Sequence, residues 1–137
     1  MTMSEIKNIF DTKMSNVYEK HGAFFAFGEK QFNESKVDGV KYCDAGYGLL
    51  CPVDNAKTLI DEINTIAVER RDYTVEHLGA KRIISDAFFD YETGYTGDTS
   101  DMMDSLSSYI KHYPDLFTEE LINTTIKECF KWDAENN

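Results

Sequence analysis

No stretch of this chain approaches the roughly 18 consecutive apolar residues that a bilayer span requires. The opening MTMSEIKNIFDTKMSN likewise holds no apolar run of signal-peptide length, so neither a membrane anchor nor a secretory leader is expected. Cysteine is sparse and odd in number. Cys43, Cys51 and Cys129 show no metal-ligand spacing, which suits a reducing compartment better than a secreted disulfide framework and makes the cytoplasm the expected location. Gly46-Tyr47-Gly48 has no GxGxxG continuation and no Lys-Ser or Lys-Thr at P-loop spacing, so nucleotide-phosphate loops are excluded. No complete catalytic, metal or nucleotide motif occurs, and no repeat, linker or low-complexity segment interrupts the 137 residues.

Positive charge is also missing where it would matter most. From Asp86 onward, twelve Asp and Glu face only three Lys (Lys111, Lys127 and Lys131), whereas residues 1–85 carry thirteen acids and eleven bases. The net charge of −11 is therefore concentrated in the last third. Such an imbalance shapes a surface and its partners rather than a fold, and it disfavours direct contact with nucleic-acid phosphates or anionic membranes. The acidity does not imply disorder. Apolar residues make up 42% and aromatics 13%, enough for one domain, residues 1–137, with a real core.

Periodicity predicts the elements. Ile6, Ile9, Phe10, Met14 and Val17 recur at helical spacing behind Ser4 as N-cap and ahead of Gly22 as stop, giving a helix over 4–20. Ala23 to Phe27 (AFFAF) reads as a short strand buried on both faces, and 29–35 as one or two helical turns. Two short strands around Gly46 and Gly48 form a hairpin that places Cys43 opposite Cys51 if it centres near Tyr47. Beyond Pro52 the pattern is helical. Asp54 caps a helix to Leu78, Gly79 is a joint, and a second helix covers Ala80 to Tyr91. A glycine-punctuated loop then spans Glu92 to Ser100; a third helix ends at Pro114, and Thr118 caps the last. The fold class is α+β: a small antiparallel three-stranded sheet near the N-terminus packed by four to five helices.

Candidate sites follow from these elements. The segment Asp90 to Asp101 gathers carboxylates and hydroxyls, the oxygen-rich chemistry that Ca²⁺ or Mg²⁺ requires. EF-hand spacing fails, because the sixth position is Tyr95 and the twelfth is Asp101. The plainer reading makes Gly94 and Gly97 turn residues and Asp98 or Thr99 a helix cap. Cys51 beside Pro52 would need a neighbouring His to act as a nucleophile. His21, His77 and His112 lie in no recognised signature, so Cys43 and Cys51 read as small buried side chains. Phe24, Phe25, Phe27 and Phe32 lack the basic groove of a base-stacking platform and read as core. Arg70, Arg71, Lys81 and Arg82, the compact basic features, read as solvated ion-pairing residues, with charge-based homo-oligomerisation a weaker option.

The succession GAFFAF, Gln31-Phe32, DAGYGLLCP and YETGYTGD resembles a family of small, uncharacterised bacteriophage and mobile-element proteins, over most of the chain. That family carries an Asn-His-Glu-like triplet where this chain has Asp90-Tyr91-Glu92; the missing His weakens any metal or acid–base role carried over to that place. The resemblance implies a phage setting and no particular chemistry. The resulting expectation is a non-enzymatic phage or prophage accessory protein with no cofactor, docking on a basic host protein such as a defence or nucleic-acid-handling enzyme. The expected contact residues are Asp90, Glu92, Asp98, Asp101, Asp104, Glu119 and Glu120. Two other classes compete: a small hydrolase or ligand-binding protein using the 90–101 carboxylates with a divalent ion, and a self-assembling virion component.

Overall fold

The computed structural model describes residues 1–137. It is α+β, as expected: five long helices and two short ones accompany one three-stranded antiparallel sheet. The chain divides into two compact units, residues 4–70 and residues 1–3 with 71–137, the division falling within the long helix α3 (Ala56–Leu78).

The first unit holds most of α1 (Met3–Lys20), the sheet, α2 (Glu29–Ser35) and the first part of α3. Strand β3 (Leu49–Pro52) lies at the centre of the sheet, between β1 (Phe24–Phe25) and β2 (Tyr42–Asp44). The β2–β3 register pairs Cys43 with Cys51, as the hairpin reading requires. Its turn is fixed by Asp44, whose side chain accepts a hydrogen bond from Gly46 N at 2.7 Å, and by Leu49 N donating to Gly46 O at 3.0 Å. Gly48 is required twice over. Its φ of +81° is left-handed, and a Cβ would come within 2.4 Å of the Phe27 ring.

Leu49 and Cys51 point from the sheet to Leu59 of α3, with Val17 and Tyr18 of α1 closing the cluster. The AFFAF segment departs from expectation. It pairs on one side only, as an edge strand of two residues, and Phe25 and Phe27 are 48% and 75% exposed. An edge strand has no second neighbour to bury it, so the rings pack on one another and on Tyr18 instead. Phe24, Phe32 and Tyr42 form a separate aromatic cluster that ties α2 to the sheet.

Two caps also differ from expectation. Helix α1 begins at Met3, so Ser4 lies inside it; Met3 packs on the apolar cluster of its own unit, and that burial sets the start. Asp54 lies in a single 3₁₀ turn (Val53–Asn55) before α3 and makes no side-chain cap. Pro52 ahead of it has an extended ψ of 133° and starts that tight turn.

The second unit is helical. Helix α4 (Ala80–Asp90) follows Gly79, whose φ of +79° makes the joint. A short α5 (Thr93–Thr96), then α6 (Ser100–His112) and α7 (Glu119–Asn136) complete it. Helix α4 packs against both α6 and α7, and Ile83, Ile84, Phe88, Met102, Leu106 and Ile122 form its buried core. Each such side chain contributes about 1.5–3 kcal/mol of transfer free energy. Thr118 caps α7 as expected, its hydroxyl accepting from Leu121 N at 3.1 Å. The expected 92–100 loop is overturned in its first half. Thr93 is fully buried and anchors the helical turn α5, because its β-branched side chain enters the interior and leaves only 97–99 irregular.

Candidate functional site

Helices α4 and α7 both bring their C-terminal ends to one cavity of about 640 Å³. Phe88 and Phe89, in the last turn of α4, form its apolar wall. Asp133 and Asn137 come from the last turn and cap of α7, and Glu92, Gly94 and Tyr95 from the start of α5. The placement follows from helical spacing. Of two consecutive Phe on one helix only one faces the core, so Phe88 is fully buried while Phe89 stays 44% exposed and meets Trp132 edge-on at 5.4 Å. A second depression, about 300 Å³, shares Phe89 and adds Ser85, Glu128, Cys129 and Trp132.

The polar side of the large cavity is built by a non-glycine residue in a left-handed conformation. Glu92 has φ 53° and ψ 32°, which turns the chain sharply from α4 into α5. Its carboxylate has no hydrogen-bond or ion-pair partner. Asp133 Oδ1 accepts from Asn137 Nδ2 at 2.8 Å. Asp133 Oδ2 lies over Gly94, 2.8 Å from where a Cβ would stand, so a glycine there is what lets the carboxylate reach the cavity. Tyr95 is 91% exposed at the rim.

The seven carboxylates singled out from the sequence are all exposed, yet they do not form one cluster. Glu92 alone lines the large cavity. Asp90 lines a separate one, about 190 Å³, with Ile83, Ala87, Ser105 and Tyr109. Asp98 holds the entry to α6: its Oδ1 accepts from Ser100 N at 2.9 Å, and this bond keeps its carboxyl below the ordinary range. Asp101 and Asp104, three apart on α6, share one face of that helix. Glu119 and Glu120 occupy the first turn of α7, where the helix dipole favours them. Thirteen to fourteen residues at 1.5 Å rise separate them from Asp133 by about 20 Å. Asp86, half-buried on α4, has its carboxyl pushed up by burial; Arg82 opposes that shift and Asp90 adds to it.

None of the seven makes an ion pair. Glu128 is the one acid of the last third that does, with Lys81 at 2.8 Å. No group of three His, Cys, Asp or Glu side chains converges so as to hold a metal ion, and the carboxylates of 90–101 are turned to separate tasks. Burial pushes the Cys51 and Cys129 thiols up, away from the thiolate that a nucleophile needs. His21 is engaged elsewhere, its Nε2 2.6 Å from Glu62.

Sequence reasoning missed Asp133, Asn137, Phe89 and Trp132. The Phe88-Phe89 doublet was a signal, because helical period leaves one of the pair outside. Asp133 in a polar helix end carried none.

No curated protein and no solved structure matches the chain. Residues 7–131 match the model described as Family of unknown function (DUF7659), and the chain belongs to that family.

Proposed function

We propose that this is a non-enzymatic binding protein, an accessory factor of phage or prophage origin, whose acidic second unit engages a basic host protein in the cytoplasm. One observation carries the reading: Asp90, Glu92, Asp98, Asp101, Asp104, Glu119 and Glu120 are all exposed and without ion-pair partners, so their charge is left for another molecule. Unneutralised carboxylates spread over helices raise the encounter rate with basic clefts and penalise wrong, acidic partners. Clefts of that sign belong to nucleic-acid-handling enzymes, including defence nucleases, and the phage-like sequence pattern supports such a target.

A metal-dependent hydrolase is the weaker reading, since the 90–101 carboxylates do not converge. The experiment is capture from bacterial lysate on the tagged protein, read by mass spectrometry, beside a variant with Asp90, Asp98, Asp101 and Asp104 changed to Asn. Asn at 98 retains an oxygen that can accept from Ser100, so the fold is preserved while the charge is removed. Enrichment of one basic nucleic-acid-handling protein by the wild type alone supports the proposal. Identical profiles oppose it.

A further inference from the structure

The cavity between the ends of α4 and α7 has features that a general acidic surface does not require. An α-helix presents roughly half a negative charge at its C-terminus, and basic residues in the last turn ordinarily offset it. Lys111 and His112 do so for α6, and Lys20 for α1. Helices α4 and α7 have no basic residue in their last turns, and both end at this cavity. Two carboxylates, Glu92 and Asp133, stand at the same place, and no Lys, Arg or His lines it. The negative ends of two helices and two acids are thus assembled without a cation. Beside them stand Tyr95 at 91% exposure and Phe89 at 44%.

An anionic ligand would meet repulsion from both acids and both helix ends. A purely apolar one would desolvate carboxylates without repaying them. The group that satisfies both halves is a planar cation, which pairs with carboxylates through fixed N–H donors while its face lies on an aromatic ring. We propose that this cavity receives an arginine side chain of the partner protein. At about 640 Å³ it falls within the roughly 300–1,000 Å³ of small-ligand pockets, room for the guanidinium and adjoining backbone. The assignment deepens the reading of the acidic unit as a surface for a basic protein, and it names the residues Glu92, Asp133 and Tyr95 as the recognition set.

The test uses the full chain, ¹⁵N-labelled, titrated with N-acetyl-arginine methylamide and, in parallel, with the lysine and norleucine analogues. The expected result is a saturable shift confined to residues 88–97 and 129–137, strongest for arginine and absent for norleucine. A single side chain should bind with Kd on the order of 10 mM. Glu92→Gln and Asp133→Asn should each weaken binding by at least about threefold, as loss of a charge-assisted contact predicts. The unperturbed remainder of each spectrum verifies that the variants are folded.

Shifts spread equally over Asp98, Asp101, Asp104, Glu119 and Glu120, equal binding by the variants, or no saturation would each overturn the assignment. Failure here is distinguishable from failure of the broader reading. If lysate capture fails while arginine still saturates the cavity, the partner reading falls and the cavity stands. If capture succeeds and the Glu92→Gln/Asp133→Asn double variant keeps the partner, the cavity assignment falls alone.

Discussion

Two hydroxyls in the second unit sit where hydroxyls are costly. Thr93 on α5 and Thr125 on α7 are 0% and 1% exposed, and neither Oγ1 has a hydrogen-bond partner. A buried polar atom left unpaired costs about 1–3 kcal/mol of desolvation, whereas an apolar group of the same shape costs none of it. Valine differs from threonine by methyl for hydroxyl, keeps the β-branch and has nearly the same helix propensity. Thr93→Val and Thr125→Val should therefore each stabilise the protein by about 1 kcal/mol, raising Tm by roughly 2–5 °C at this chain length. The assay is urea unfolding followed by far-ultraviolet circular dichroism, with an unchanged m-value showing that stability rather than compactness has moved. Loss of more than about 1 kcal/mol in either single variant would mean that its hydroxyl is satisfied, and would refute its description as a buried group without a partner.

Three further outcomes follow from the same structure. Phe88→Ala should cost about 3–5 kcal/mol in urea unfolding, because a fully buried ring that meets Phe130 edge-on at 4.9 Å leaves a cavity its neighbours cannot close. Thr118→Ala should cost about 1 kcal/mol and Thr118→Ser far less, since the serine hydroxyl still accepts from Leu121 N. Hydrogen bonds from Lys20 and then His21 hold the Glu62 carboxyl below its ordinary value of 4.5. Its folded pKa thus lies under its unfolded one, so its contribution to stability is complete above about pH 4.5 and fades as pH falls below it. Glu62→Gln should flatten the acid limb of a Tm-against-pH curve in that window.

Much of the fold was legible because its signals are local. The hairpin register follows from two glycines on either side of Tyr47, the start of α7 from Thr118, and the end of α6 from Pro114. What stayed hidden depends on neighbours distant in the chain. AFFAF is as apolar as a central strand, and only its place at the sheet edge exposes Phe25 and Phe27. The loop after Glu92 contains the turn-forming residues Gly94, Gly97, Asp98 and Ser100, yet burial of Thr93 wins and a helical turn forms. The candidate site was half legible. Of its two acids, Glu92 could be named from charge and Asp133 could not, because which carboxylates share a cavity depends on where two helices end. Glu92 lines one cavity with Asp133, 41 residues away, while Glu119 and Glu120 are carried to the other end of α7.

If the acidic second unit engages a basic partner as proposed, the placement of charge, and not its sum, selects that partner. Capture from lysate at about 0.15 M salt, where screening extends over roughly 8 Å, tests this with two variants of equal charge. One changes Asp90, Asp98, Asp101 and Asp104 to Asn in the second unit. The other changes Glu19, Glu29 and Glu34 to Gln and Asp38 to Asn, four exposed acids of the first unit that make no ion pairs. The first variant should lose the partner and the second should retain it. Equal loss in both, or retention in both, would contradict it.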